Sequence, residues 1–219
     1  DSPGWDVSQT LSLGEELELL GPVLESIGCA FHLIGHSYGA AVALALAQGQ
    51  PARVRSLILY EPVLFNLLLE FEEHADAYAE IDQVRTDVTA FVGRGELQEA
   101  GKRFVDYWSG EGTWDAMPMT RRQAVIASIS SVAPHFRALF NDTLRHAELA
   151  RLRVPVLCRT GPRTKASTRR IGELLRRAIP QGTHQMLAGM GHMGPITHAG
   201  TVAARLAGWL DAQAMLQDV

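Results

Sequence analysis

The sequence predicts an α/β protein, a parallel sheet covered by helices with an all-helical segment inserted into it. Three observations carry that prediction. Short apolar runs alternate with amphipathic helical patterns at both ends of the 219-residue chain. Between Pro62 and Ala150 the pattern is helix after helix, with no strand-like run. Residues 31–49, FHLIGHSYGAAVALALAQG, hold an apolar run broken by one serine between two glycines and then resumed as an alanine-rich helix.

In chain order, residues 10–27 place Leu13, Leu17, Leu20, Leu24 and Ile27 at spacings of three and four, the stripe of a core-facing helix. FHLIG at 31–35 is a nearly continuous apolar run, as a parallel strand buried on both faces requires. A helix over 38–49 and a second strand, VRSLILY at 54–60, follow. The alternation resumes late, with strand 154–160, helix 167–179, strand 183–189 and a last helix near 198–216. This divides the chain into a core of residues 1–61 and 151–219 and a helical insertion of residues 62–150.

A hydrophobic content of 47% argues against disorder, and a net charge of −4 gives no case for a nucleic-acid partner. No apolar run approaches the length of a membrane span, and no secretory signal pattern opens the chain, so no membrane partner is expected. Cys29 and Cys158 have no CxxC or histidine-rich company; they are expected to be small buried core residues in a reducing, cytoplasmic compartment. No HxH, HExxH or carboxylate cluster suggests a metal, and no cofactor is expected.

Gly35-His36-Ser37-Tyr38-Gly39 matches G-x-S-x-G, a weak motif by its letters alone. Its context is specific, because a strand leads directly in and a small-residue helix leads directly out. That arrangement lifts Ser37 above the sheet edge as a candidate nucleophile, with glycine on both flanks expected to relieve crowding between strand and helix. A serine hydroxyl needs a base, and the base needs an orienting group. His192, in the glycine-rich loop Gly189-Met190-Gly191-His192-Met193-Gly194 after the last strand, is the candidate base. His36 is expected to pack beside the turn rather than react, while His32 falls in a strand and His74, His135 and His146 on helices.

GHSYG and LAGMGHMGPITH, with the order serine, acid, cap, histidine, resemble the α/β-hydrolase superfamily, in the form with a helical cap. The resemblance covers the whole chain as the later three quarters of that fold, and implies a third group, an acid. Most members carry it in a GxxD segment after the strand following the cap. Here that segment is Gly161-Pro162-Arg163-Thr164-Lys165, and no Asp or Glu lies between Glu148 and Glu173. A second subset, including many haloalkane dehalogenases, places the acid one strand earlier. Glu61, directly after VRSLILY, is therefore expected to orient His192; the alternative is a carboxylate that only opens the cap before Pro62. The dehalogenases attack with an aspartate, so the likeness to them ends at the acid's placement.

The resemblance further implies an oxyanion hole with one donor from the Tyr38 backbone N–H and a second from a loop after an early strand. Asp1-Ser2-Pro3-Gly4-Trp5 resembles the tail of the loop before the first helix, so the early strands are expected to lie outside this chain. The exposed edge at Phe31–Gly35 would then be covered by a preceding segment of a longer polypeptide, by another chain or by a homodimer mate. The expected activity is hydrolysis of an ester, thioester or lactone of a small, apolar substrate through an acyl-enzyme. Two alternatives stand beside it: carbon–carbon bond hydrolysis of a diketone-like compound, and a catalytically weak ligand-binding member of the fold. Cap aromatics such as Phe65, Phe104, Trp108, Trp114 and Phe136 either line the substrate site or fill the cap's own core. Nine basic residues and one acid between Arg151 and Arg177 form a solvated face, or place Arg159, Arg163 or Lys165 against an anionic substrate group.

Overall fold

The computed structural model describes residues 12–217, and the comparison of Asp1–Trp5 with a loop concerns residues outside that range. Ser12 opens the first helix with a capping box. Its hydroxyl accepts from the Glu15 N–H at 3.2 Å, and the Glu15 carboxylate accepts from the Ser12 N–H at 2.7 Å. From there the order is α1 (Leu13–Ser26), β1 (Phe31–His36), α2 (Tyr38–Gly49) and β2 (Val54–Tyr60). Five helices follow before the next strand: α3 (Ala75–Gly93), α4 (Leu97–Ser109), α5 (Thr113–Ala116), α6 (Met119–Ser128) and α7 (Val132–Phe140). The chain then completes β3 (Val156–Thr160), α8 (Ala166–Ala178), β4 (Gly182–Met186), α9 (Gly194–Thr197) and α10 (Ala199–Gln217).

The four strands are all parallel and lie in the order β1-β2-β3-β4. β2 is central, and Leu57, Ile58 and Leu59 are fully buried, as a strand covered on both faces requires. Pairing of His36 with Tyr60 and of Tyr60 with Arg159 brings the carboxyl ends of β1, β2 and β3 nearly level. The residues that leave those ends, Ser37, Glu61 and Gly161, therefore emerge at one edge of the sheet, where open parallel sheets place their ligands.

The strand and helix bounds differ from the sequence expectation where backbone chemistry intervenes. β3 starts at Val156 because Pro155 has no N–H to give the ladder; its carbonyl instead accepts from Leu57 N–H at 2.9 Å. β4 stops at Met186 and not at Gly189, whose φ of +74° turns the chain into the histidine loop. Cys29 is exposed in the turn before β1, contrary to its expected burial, while Cys158 is buried in β3; both are free. On α1 only Leu13 and Leu24 are buried, and Leu20 of the expected stripe is 38% exposed. β1 stands at one edge of the sheet among the described residues, with Ile34 exposed. No described helix is long and apolar enough to cross a membrane.

Candidate active site

Ser37 sits between β1 and α2 with φ 55° and ψ −122°, a backbone conformation that a residue with a Cβ rarely adopts. The surroundings over-determine it. Its N–H donates to the Tyr60 carbonyl at 3.0 Å, and its own carbonyl accepts from Ala40 N–H at 2.9 Å. Tyr38 is the first helical residue, so its N–H has no acceptor within the helix and remains available beside the hydroxyl.

Of the two flanking glycines, only Gly35 is demanded by crowding. A Cβ there would come within 2.4 Å of the Gly39 carbonyl oxygen and 2.6 Å of Ala40 Cα, both backbone atoms, whereas a Cβ at Gly39 would meet nothing within 4 Å. The expectation that both glycines relieve crowding is corrected to Gly35 alone. Gly35→Ala should lose about 3 kcal/mol of unfolding free energy by overpacking at this turn. Gly39→Ala should stay within about 0.5 kcal/mol of the parent, and denaturant titration of the two variants separates the cases.

His192 is 4% exposed and Glu61 fully buried. His192 Nε2 lies 3.0 Å from Ser37 Oγ, and Nδ1 lies 3.2 Å from Glu61 Oε2. A carboxylate can only accept, so Nδ1 carries the proton and Nε2 is left as the acceptor facing the serine. The structure thus brings Ser37, His192 and Glu61 into one hydrogen-bonded chain. Glu61 also has a positive φ, 47°, which aims the residue after β2 across the sheet edge rather than along the strand.

The segment Gly161–Thr164, where the usual acid is absent, holds the Glu61 carboxylate in place. Glu61 Oε1 accepts from the Gly161 N–H at 3.1 Å and from the Thr164 hydroxyl. β3 also fixes the backbone of Glu61, whose N–H donates to the Arg159 carbonyl at 2.8 Å. Close approach explains Gly161, since a Cβ there would lie 2.1 Å from the Met190 carbonyl oxygen. The histidine loop is pinned from the other side by His36, whose Nε2–H donates to the His192 carbonyl at 2.7 Å. Burial and, after it, the neighbouring His192 push the His36 imidazole down to about 4, so it stays neutral at working pH.

Sequence reasoning gave no role to Thr164 or His135 and left Trp108 open between the substrate site and the cap's own core. Thr164 had a visible signal, because it occupies the last position of the segment shaped like GxxD. Trp108 of α4 stacks on His192, ring centroids 3.8 Å apart and planes 23° apart. His135 of α7 stacks on Tyr38 at 4.3 Å and borders the same small cavity as Ser37. Burial lowers the His135 pKa and raises that of Tyr38, whose hydroxyl donates to Glu16 at 3.0 Å. The cavity measures about 60 Å³ and is otherwise apolar, walled by Val63, Phe65, Phe104, Trp108, Phe136 and Leu139, among others. The cap aromatics therefore divide: Trp114 is 1% exposed and does not line this space.

None of the three basic candidates lines it either. Arg159 borders a different cavity, Arg163 donates to the Gly189 carbonyl, and the Lys165 ammonium rests 4.6 Å from the centre of the Tyr107 ring.

The family model described as "Alpha/beta hydrolase family" matches residues 1–205. Among curated proteins the sequence finds no match. Similar solved structures include a hydrolase from Oleispira antarctica, with TM-score 0.75 and 15% identity over 96% of this chain and 76% of that one. An alpha/beta hydrolase enzyme from a Medee basin deep-sea metagenome library gives TM-score 0.73 at 16% identity, covering 93% of this chain and 74% of that one. A thermophilic esterase from Thermogutta terrifontis gives 0.71 at 19% identity, covering 94% and 74%. At such identities the likeness is one of fold.

Proposed function

This chain belongs to the alpha/beta hydrolase family, and on that premise we propose that it hydrolyses an ester, thioester or lactone with a short, uncharged acyl part through an acyl-enzyme on Ser37. The observation that carries this reading is the hydrogen-bonded chain from Ser37 Oγ through His192 to Glu61, at 3.0 and 3.2 Å. In the first half-reaction Ser37 Oγ attacks the carbonyl carbon while His192 Nε2 takes its proton. The developing oxyanion is met by the Tyr38 N–H, and the imidazolium is stabilised by the Glu61 carboxylate on one nitrogen. The face of Trp108 against the ring adds a favourable contact for the cation. His192 then gives its proton to the leaving alcohol or thiol. In the second half-reaction water takes the place of serine, His192 again acts as base, and the acid departs.

The size of the acyl group follows from the cavity. About 60 Å³ is far below the roughly 300 Å³ and upward of ordinary ligand pockets. It suits a few carbon atoms, with the leaving group outside. The apolar walls, with no Lys or Arg among the described lining residues, favour an uncharged acyl chain, and the half-buried His135 offers one polar contact. A cytoplasmic setting belongs to the same reading, supported by the two free cysteines.

A series of p-nitrophenyl esters tests the proposal. Turnover should be fastest from acetate to butyrate and fall by about tenfold or more at octanoate, each extra buried methylene having no room to enter. Cleavage of a diketone without turnover of any ester would transfer the reading to carbon–carbon hydrolysis.

A further inference from the structure

A second cavity, of about 630 Å³, opens between β4 and α10, and its lining includes Arg159, Gln185, Leu187, Thr201, Arg205 and Trp209. It shares no residue with the Ser37 cavity. Arg159, on β3, is only 5% exposed, yet its Nε has no hydrogen-bond partner. One terminal nitrogen makes a long contact, 3.3 Å, with the Arg205 carbonyl. Among the described residues neither Arg159 nor Arg205 is paired with a carboxylate, and no Asp or Glu lines the cavity. Burial and, after it, the charge of Arg205 lower the Arg159 pKa.

A buried guanidinium in a cavity shared with a second arginine is expensive to maintain without a counter-charge. We propose that this cavity binds an organic carboxylate, its charged end received by Arg159 and Arg205 and its apolar body resting on Leu187 and Trp209. The planar fork of Arg159 suits a carboxylate, which can accept two parallel N–H bonds from it. Gln185 of β4 and Thr201 of α10 supply neutral polar groups to the same cavity. The apolar side of the cavity separates this ligand class from a bare inorganic anion.

Isothermal titration with benzoate and 3-phenylpropionate tests the site, with benzamide and inorganic phosphate as probes lacking the charge or the apolar body. Saturable binding is expected with a dissociation constant of about 1 mM. Benzamide should not bind, and phosphate should bind about tenfold more weakly. Arg159→Met should weaken benzoate about tenfold or more. Arg205→Glu, a change at an exposed helix position, puts a carboxylate beside Arg159 and should abolish benzoate binding while raising Tm in its absence. This second variant keeps the test decisive if Arg159→Met does not fold. The proposal is overturned if the wild type does not bind, if phosphate binds as well as benzoate, or if Arg205→Glu leaves the affinity unchanged. Competition with ester turnover that survives in Arg205→Glu would assign the carboxylate to the Ser37 cavity and likewise overturn it.

Discussion

Ser37→Ala is expected to lower kcat/KM on a short-chain ester by about 10⁴- to 10⁶-fold, the loss seen when a triad nucleophile is removed and only binding and the oxyanion donor remain. The fold should survive, because the Ser37 N–H and carbonyl keep their partners, Tyr60 and Ala40. Backbone strain gives a second readout at the same position. With φ at 55° and ψ at −122°, Ser37 holds a conformation that costs about 1–3 kcal/mol for a residue with a Cβ. Ser37→Gly should therefore be inactive and yet more stable than the parent by about 1 kcal/mol, after the entropy cost of glycine is subtracted. Ser37→Ala keeps the Cβ and should gain no stability. Rates and denaturation midpoints measured on both variants separate a strained functional turn from an ordinary one.

Glu61→Gln is expected to cost about 10⁴-fold in kcat/KM, for a reason that lies in the donor count around the side chain. Oε1 accepts from the Gly161 N–H and the Thr164 hydroxyl, and Oε2 faces His192 Nδ1. A carboxylate satisfies all three. An amide has one oxygen and one NH₂, so one side must place a donor against donors. If the NH₂ faces His192, Nδ1 becomes the acceptor and Nε2 carries the proton, which leaves no base for Ser37. If it faces Gly161 and Thr164, two buried donors lose their acceptor and the imidazolium loses its counter-charge. Thr164→Val removes one of the three donors and should cost about 10- to 100-fold, equivalent to one buried hydrogen bond to a charged group. Thr164→Ser restores the hydroxyl and should recover most of that. A Glu61 that merely opened the cap would leave kcat/KM unchanged in all three variants.

The central elements were legible because periodicity and burial coincide in them. α2 and β2 fall within their expected bounds, where an uninterrupted small-residue helix and a VRSLILY run leave little choice. The contacts among Ser37, His192 and Glu61 follow from strand order and from the chemistry of the residues just past the strand ends. Thr164 was legible only through its place in the GxxD-shaped segment, whereas the contacts of Trp108 and His135 arise from packing of distant segments, which no local period encodes. A tryptophan on α4 reads the same in sequence whether it fills the cap, as Trp114 does, or stacks on His192, as Trp108 does. Arg159 was noticed as a basic residue near a strand end, but strand alternation turns it to the face covered by α10, away from the Ser37 cavity. Gly39 shows the limit of motif reading, since the letters G-x-S-x-G treat its two glycines alike and the backbone does not.

The central claim is that Ser37 is an activated nucleophile. Intact-mass and peptide-mapping analysis after treatment with a fluorophosphonate tests it most directly, with Ser37→Ala and Glu61→Gln treated in parallel. The expected result is a single adduct on Ser37 of the wild type, none on Ser37→Ala, and strongly slowed labelling of Glu61→Gln. An unlabelled wild type, or an adduct on any other residue, would contradict the claim and leave the hydrogen-bonded chain without a catalytic role.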